Sequence, residues 1–442
     1  MSSNHQEIYL DHAATTYLDP RVKSAMDLYW EEEFGNPSSL YRTGRRAKDA
    51  LDGARASVAR MLNAKPDEII FTGGGTEAIN LAIFGGAHFY SNILKNVGMS
   101  RGHLITSKIE HHAVLRSCEA LEKEGFEVTY LNVDENGLVN PEDVKRALRP
   151  DTILVSVMYA NNEIGTIEPI EEIAQIIREY REEKRKLVAE GDKNVHERLP
   201  LFHTDACQAA GALDVNVQKL GVDLLAFNGS KMYGPKGVGC LYVRRGVQLK
   251  PLIYGGGQER GMRSGTENVP GIIGFAKAFE IAHEEKEKEN KRLTKLRDYF
   301  ISELQTRIPK VVLNGHPTRR LPNNVNVSVL DIEGEAVILH LDSYGIAIST
   351  GSACTSESLD PSHVILALGR PYEYAHSSLR FTLGRRTTKE DLDYVLEVLP
   401  EIVEKLRRIS PVRMETGQTT VSHPEAFAGQ GSKVKVGGKT YK

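Results

Sequence analysis

The chain has 442 residues and a formal net charge of −3, from 56 basic and 59 acidic side chains. This near-balanced charge gives no electrostatic indication of binding to nucleic acid or to a membrane surface. The four cysteines lack the close spacing of a zinc site or a disulfide framework, and no apolar run is long enough to cross a membrane. The first residues also lack the pattern of a signal peptide, so the sequence predicts a cytoplasmic protein without a bound metal.

Short apolar, β-branched segments alternate with helical patterns through the first half of the chain. Apolar residues recur at helical spacing between residues 45 and 62. Strands that alternate with helices predict an α/β fold, with a large and mostly parallel sheet that is covered on both faces. In such a fold, ligands bind at the carboxyl ends of the strands. The predicted strands are Asp67–Thr72, His103–Ser107, Val128–Leu131, Thr152–Val157, Leu201–Asp205 and Val222–Phe227.

The second half of the chain indicates a smaller α/β unit. A long helical pattern from Ile272 to Ile308 is expected to bridge two domains. We expect a large domain over residues 16–266 and a small domain formed by residues 1–15 and 267–410.

Two segments are expected to be peripheral. Residues 181–199 are mostly charged and predict a solvated helix extension followed by a loop. Residues 411–442 are rich in Gly, Ser, Thr and Lys with few apolar side chains, which predicts a flexible tail.

Three segments at predicted strand ends point to a cofactor. Lys231 follows an apolar strand, where a partly buried amine can have a lowered pKa and react with a carbonyl, although most lysines are surface charges. Asp205 ends another strand, where an acid either caps a turn or pairs with a protonated pyridine nitrogen. Gly73–Thr76 places glycines at a helix start, whose N–H groups suit a phosphate. Together they predict a site for pyridoxal 5′-phosphate (PLP).

Cys354 lies in Ser349–Ser358, a run of small and polar residues that predicts a loop. An isolated loop cysteine is usually an inert surface residue. Beside a cofactor that acts as an electron sink, the same thiol is a candidate nucleophile.

The sequence resembles the cysteine desulfurases of the class V aminotransferase group, which have PLP-dependent transferase fold type I. More narrowly, it resembles the type that supplies sulfur for iron–sulfur cluster assembly. The resemblance runs from Tyr9 to about Ser410. The segments that carry it include Tyr9–Thr16, Phe34–Ser39, Ile109–Leu115, Asn161–Gly165, Arg260–Thr266, Gly351–Ser356 and Ala375–Arg385.

The resemblance implies a role for each residue of the cofactor site. Lys231 would bind the cofactor covalently and then act as the base at the substrate Cα. His111 would stack on the pyridine ring and assist proton transfer, and Asp205 would pair with the ring nitrogen. Gln208 would bond the 3-oxygen of the ring, and Asn162 would lie beside the ring.

The resemblance also implies how the phosphate and the substrate are held. Gly75 and Thr76 would hold the phosphate, and Thr266 would reach the phosphate of the neighbouring subunit, so the active unit would be a homodimer. Arg380 and Asn36 would bind the substrate carboxylate, for which an arginine fork is well suited.

The chain departs from the family immediately before the lysine. The usual triplet is Ser-Gly-His, and both of its polar residues help to hold the phosphate. Here the triplet is Asn228-Gly229-Ser230. Both replacements still donate hydrogen bonds, but the hydroxyl of Ser230 is shorter than an imidazole and carries no charge. We therefore hypothesise that PLP is held more weakly in this protein.

The implied reaction converts L-cysteine to L-alanine and leaves a persulfide on Cys354. The sulfur would then pass to an iron–sulfur scaffold protein or another acceptor, such as one for tRNA thiolation. Either His111 or the substrate amine would take the proton of the Cys354 thiol. Two alternatives stay open from the residues alone: a PLP aminotransferase or lyase that does not use Cys354, and an assembly scaffold without catalysis.

Overall fold

The structure is a computed structural model that describes residues 7–96, 101–189, 196–350, 361–411, 413–414, 416–417, 435–436 and 439–440. Cys354 and the rest of residues 351–360 therefore lie outside the described residues. Within the described part of the chain, no helix has the length and apolarity needed to cross a bilayer.

Helices and strands alternate along most of the chain. The helices are α1 (Pro20–Glu31), α2 (Arg42–Met61), α3 (Gly75–Asn96), α4 (His112–Lys123), α5 (Pro141–Ala147), α6 (Ile170–Ala189), α7 (Val217–Leu220), α8 (Val269–Arg307), α9 (Gly334–Asp342), α10 (His363–Ala367), α11 (Tyr372–His376) and α12 (Lys389–Ile409). The strands are β1 (Ile8–Tyr9), β2 (Ile69–Thr72), β3 (His103–Ser107), β4 (Glu127–Leu131), β5 (Thr152–Ser156), β6 (Leu201–Asp205), β7 (Leu224–Asn228), β8 (Gly239–Val243), β9 (Val311–Leu313), β10 (Asn324–Val329), β11 (Ile346–Ala347), β12 (Ser378–Thr382), β13 (Lys435–Val436) and β14 (Lys439–Thr440).

The largest sheet in the described residues has seven strands in the order β2-β8-β7-β6-β5-β3-β4. Strands β4, β3, β5, β6 and β7 run parallel, whereas β8 is antiparallel to both β7 and β2. The predicted α/β fold with a large, mostly parallel sheet is therefore confirmed. All six predicted strands are present with small shifts at their ends, and β8 was not predicted.

Both faces of this sheet are buried, which explains why its strands are apolar throughout. Successive residues point to opposite faces, so Leu154 and Leu224 pack into one core and Val155 and Leu225 into the other. On the second face, Phe227 lies with its ring centroid 5.1 Å from that of Phe275 in α8. The strands thus present their carboxyl ends at one edge of a rigid layer.

A smaller unit has its own hydrophobic core. It contains the antiparallel sheet β12-β10-β9 and the parallel pair β1-β11. Helix α8 contributes to both cores: Phe275 and Phe279 pack under the large sheet, while Phe300 packs against Phe381 of β12 with ring centroids 5.1 Å apart. One continuous helix therefore joins the two cores.

The charged end of α6 is less solvated than its composition predicts. The side chain of Lys184 is buried and donates a hydrogen bond to the carbonyl of Pro150 at 2.9 Å, and burial lowers its pKa to about 8. Arg181, one turn earlier on the same face, pairs with the buried carboxylate of Asp223. The expectation of a wholly solvated helix extension is therefore wrong for these two side chains. Residues 190–195 lie outside the described residues.

The packed chain continues beyond α12. Met414 is 1% exposed and lies in a cluster with Val364, Leu368 and Tyr374. Its backbone N–H donates to Oδ1 of Asp331 at 2.7 Å. The residues just after α12 are thus attached to the body of the protein.

Candidate active site

A cavity of about 350 Å³ lies where the parallel strands of the large sheet end. Most of its lining comes from the segments that follow these strands, as expected for an α/β fold. The smaller unit closes it from the other side with Arg380 of β12 and His363 of α10. The predicted site residues that line this cavity are Gly75, Thr76, His111, Asn162, Asp205, Gln208, Asn228, Lys231 and Arg380.

Lys231 and Asp205 reach the cavity from adjacent strands. Lys231 ends a 3₁₀ turn, Gly229–Lys231, directly after β7, and its Nζ donates to the carbonyl of Ala14. Asp205 is the last residue of β6, and its buried carboxylate accepts the N–H of Cys207 at 2.8 Å through Oδ1. Asp205 therefore caps its own turn and also presents a negative charge to the cavity, so the two interpretations of this residue are compatible.

The beginning of α3, at Gly75 and Thr76, forms a cradle of backbone N–H groups at the cavity. A Cβ added to Gly75 would lie 2.7 Å from Sγ of Cys207 and 3.0 Å from Nδ2 of Asn228, so only glycine lets the start of the helix lie this close to both side chains. The first-turn N–H groups of a helix favour an anion. The side-chain amide of Asn228 brings a further donor, Nδ2, next to Gly75 in the cavity wall. A phosphate at this position fits the residues that are present.

A charged pair stands beside this cradle. Glu77 in the first turn of α3 would repel a phosphate, but its Oε1 accepts a hydrogen bond from Nε of Arg263 at 3.0 Å. Its Oε2 accepts the N–H of Gly73 at 2.9 Å and so shapes the glycine loop. Glu77 is not among the residues predicted from the sequence to shape this site.

His111 caps α4 with its side chain. Nδ1 of the ring accepts the backbone N–H of Ala113 at 3.1 Å. Because this contact uses the lone pair of Nδ1, a neutral ring carries its proton on Nε2. His111 therefore has a fixed ring orientation and presents a donor at Nε2.

Arg380 is 2% exposed and is held at two of its nitrogens. Nη2 donates to Oδ1 of Asp11 at 2.9 Å, and Nη1 donates to the carbonyl of Asn162 at 3.0 Å. The Nε–H group is buried with no hydrogen-bond partner among the described residues. This donor suits an incoming carboxylate.

Three predicted residues do not line this cavity. Asn36 is exposed, and its Oδ1 accepts the N–H of Ser38 at 2.9 Å. Thr266 is also exposed. Ser230 is half-buried, and its carbonyl accepts a hydrogen bond from the backbone N–H of Thr16 at 2.9 Å. The structure thus brings together the residues for the ring, the lysine and the arginine, but not these three.

Two buried carboxyl groups were not singled out from the sequence: Glu163, which lines the cavity, and Glu110, which contacts Met158 and His363 of its wall. Burial raises the pKa of Glu110 to about 8 and that of Glu163 to about 7. Both residues lie inside the segments that carry the family resemblance, Ile109–Leu115 and Asn161–Gly165. An acidic residue next to a site residue, His111 or Asn162, was the signal that could have identified them. Among the described residues, no group of three or more His, Cys, Asp or Glu side chains could hold a metal ion.

Comparison with known proteins agrees with this geometry. The sequence model of the aminotransferase class-V family matches residues 8–183 and 185–395. The cysteine desulfurase IscS of Dictyoglomus turgidum is 54% identical over 410 residues, which are 93% of this chain and 98% of that protein. A solved NifS-like protein is 38% identical with a TM-score of 0.79, covering 91% of this chain and 100% of its own. The structure of SspA in complex with cysteine is 34% identical with a TM-score of 0.70, covering 86% of this chain and 99% of its own.

The fold and the strand-end site define a PLP-dependent enzyme, and the chain belongs to the aminotransferase class-V family. Within that family its place is among the cysteine desulfurases.

Proposed function

We propose that this protein is a cysteine desulfurase that converts L-cysteine to L-alanine and transfers the sulfur to Cys354 as a persulfide. One observation carries the proposal: Lys231 and Asp205, from the ends of two adjacent strands, and Arg380, from the middle of β12, line one cavity. A carbonyl-reactive amine, a ring-pairing acid and a carboxylate-binding fork are the groups that an amino-acid substrate and PLP require.

Each part of the cofactor has a partner among the residues present. Lys231 would bind its aldehyde carbon, Asp205 would pair with its ring nitrogen, and Gly75, Thr76 and Asn228 would hold its phosphate. When bound, PLP supplies an electron-poor ring that stabilises the negative charge left on the substrate Cα.

The residues of the chain then orient the substrate and move its proton. Arg380 binds the α-carboxylate and so fixes the direction of the Cα–H bond. Lys231 removes the Cα proton with its Nζ. His111, with its ring held by the cap of α4, provides Nε2–H on one side of the cavity.

The sulfur step needs no external oxidant. The thiolate of Cys354 attacks the substrate sulfur, a new S–S bond forms, and the Cβ–S bond of the substrate breaks. The electron pair of that bond stays with the carbon, which takes up a proton and becomes the methyl group of L-alanine. Because a free thiol has a pKa of about 8.5, an acceptor must take the Cys354 proton near neutral pH. The candidates are the substrate amine and His111, which can accept the proton at Nε2 once it has donated the proton that this atom carries.

We further propose a homodimer whose interface includes residues 37–40 and 256–260. These segments line a groove of about 470 Å³ that also includes Glu267. The neighbouring side chains of Phe34 and Leu40 are 69% and 89% exposed, which is unusual for large apolar residues. A partner subunit on this surface would cover them and give Asn36 and Thr266 a role at its own site.

The proposed desulfurase function also suggests a sulfur acceptor and a cellular location. The acceptor of the Cys354 sulfur would be an iron–sulfur scaffold protein or a protein of tRNA thiolation, and the location would be cytoplasmic. We also propose a large domain over residues 16–266 and a small one formed by residues 1–15 and 267–410; the two hydrophobic cores support it, except that the first half of α8 packs into the core of the large domain.

The test uses purified PLP-loaded protein and its Cys354→Ser variant. With L-cysteine, we expect the wild type to release alanine and gain one sulfur atom on Cys354 by mass spectrometry. The variant should still change its visible absorbance on binding cysteine, yet form no protein-bound sulfur. Alanine release by Cys354→Ser at the wild-type rate would instead indicate a lyase that does not use this thiol.

A further inference from the structure

The helix that follows the Cys354 segment is attached to the wall of the cavity at its first turn. Ser362 stands eight positions after Cys354 and caps α10, with its Oγ accepting the N–H of Ile365 at 3.2 Å. The same hydroxyl donates to Oε2 of Glu163 at 2.5 Å. Ser362 is 2% exposed and Glu163 is 4% exposed, so water competes little for this contact.

Glu163 is itself held on a rigid turn. Oδ1 of Asn161 accepts its backbone N–H at 2.8 Å, and Nδ2 of Asn161 donates to the carbonyl of Ile109 at 2.8 Å. The carbonyl of Glu163 accepts hydrogen bonds from the side-chain amides of Asn324 and Asn326 of β10, at 3.0 and 3.1 Å. The turn is therefore tied to the large sheet on one side and to the smaller sheet on the other.

The same turn also holds the arginine of the substrate site. The carbonyl of Asn162 accepts the hydrogen bond from Nη1 of Arg380, and the side chain of the next residue, Glu163, holds Ser362. Two consecutive residues, Asn162 and Glu163, thus hold two points in place. One is Arg380, which is proposed to bind the substrate carboxylate, and the other is Ser362, which begins α10 after the Cys354 segment.

A second contact supports the start of α10 without using Glu163. Nε2 of His363 lies 3.0 Å from the carbonyl of Glu110 and donates to it. Loss of the Ser362 hydroxyl would therefore shift the first turn of α10 rather than release the helix. Small errors of placement reduce the rate of a reaction between two held groups, because the reacting atoms must meet at bonding distance and angle.

We propose that Glu163 is a positioning residue for the sulfur-transfer step, which acts through Ser362 to set the place of the Cys354 segment relative to Arg380. This inference rests on the proposed desulfurase function. It assigns no chemical step to Glu163, although this residue also lines the cavity.

The test compares PLP-loaded wild type, Ser362→Ala, Ser362→Thr and Glu163→Gln in a single turnover with L-cysteine. Two quantities are followed: the change in visible absorbance when cysteine binds, and the rate at which Cys354 gains sulfur. For Ser362→Ala we expect a transfer rate at least about tenfold lower, with the cysteine affinity changed less than about twofold. Ser362→Thr and Glu163→Gln keep a donor and an acceptor and should stay close to wild type in both.

Ser117→Ala serves as the matched control. Ser117 is also a buried serine, and its hydroxyl donates to a carbonyl, that of Ala113, at 2.7 Å. A transfer rate for Ser362→Ala equal to that of Ser117→Ala would overturn the inference, as would equal losses of cysteine binding and transfer. If the wild type itself gained no sulfur on Cys354, the proposed function would fail instead, so the two failures are distinct.

Discussion

Arg380 and Asp11 form an ion pair of 2.9 Å at the cavity that is proposed to receive an amino acid. The pair orients the guanidinium and supplies a countercharge before substrate arrives. Because Nη1 is also held, by the carbonyl of Asn162, the fork cannot turn away from the cavity. The donor at Nε is left for a substrate carboxylate.

Replacement of this arginine should affect substrate binding more than turnover. Arg380→Lys keeps the positive charge but removes the planar fork and its Nε donor. We expect KM for L-cysteine to rise at least about tenfold, the scale of one lost hydrogen bond to a charged group, with a smaller change in kcat. Alanine formation at varied cysteine concentrations measures both. An unchanged KM would show that the substrate carboxylate binds elsewhere.

Asp205→Asn tests the charge of the residue that is proposed to pair with the pyridine nitrogen. The amide oxygen can still accept the N–H of Cys207, so the turn after β6 should fold as before. Loss of the negative charge that would pair with the ring nitrogen should lower alanine formation by roughly 10²-fold. The visible spectrum should also shift, because the ring nitrogen is less protonated. Full activity with an unshifted spectrum would count against the assignment of Asp205.

The Asn228-Gly229-Ser230 triplet before Lys231 differs from the family pattern, which predicts that PLP is bound more weakly. Asn228 lies beside the cradle of α3, while the side chain of Ser230 does not line the cavity. Ser230→His restores a longer, chargeable donor and should lower the PLP dissociation constant roughly tenfold, as expected for a charge-assisted hydrogen bond. Equilibrium dialysis of the apoprotein measures this, with Ser230→Ala as the control. Equal dissociation constants for wild type and Ser230→His would refute the hypothesis.

Glu110 should make the stability of the protein depend on pH. Burial raises its pKa from 4.5 to about 8 in the folded chain. Below pH 4.5 Glu110 is protonated in both the folded and the unfolded chain, so its titration does not reduce the free energy of unfolding there. Between pH 4.5 and 8 the unfolded chain loses a proton that the folded chain keeps, so stability falls by up to about 1.4 kcal/mol per pH unit.

Glu110→Gln removes this titration while keeping the shape of the side chain. The free energy of unfolding of the wild type, relative to that of the variant, should therefore decrease as the pH rises from about 5 to about 8. Denaturant unfolding at several pH values measures the difference. A difference that is constant over this range would mean that Glu110 is ionised in the folded chain.

The sequence predicts the strands next to the site more accurately than it predicts the segments around them. The apolar runs of β3 and β6 are bounded by polar residues and turn signals, so their ends were read correctly. Strand β8 was missed because Gly239–Val243 follows a glycine-dense stretch that resembles one long turn. The inward-facing charge of Lys184 was missed because composition does not reveal that Pro150 offers a carbonyl to it.

The residues of the candidate site also differ in how far the sequence alone predicts them. Lys231, Asp205 and Gly75 follow from local patterns, since each lies where a strand ends or a helix begins. The position of Arg380 in the cavity came only from family resemblance, because nothing near it in the sequence indicates a ligand. The contact between Glu163 and Ser362 joins residues 199 positions apart, and a pattern within one segment cannot indicate such a pairing.

The burial of Met414 determines where this protein can be shortened. Its side chain fills space beside Val364 and Ile365, which belong to the helix that Ser362 caps. A chain that ended at Ser410 would leave a void there, at a cost on the scale of 2–5 kcal/mol known for emptied apolar sites. A chain that ended at Gly417 would keep the side chain in place. Tests of the remaining C-terminal residues in sulfur delivery should therefore begin their deletions after Gly417.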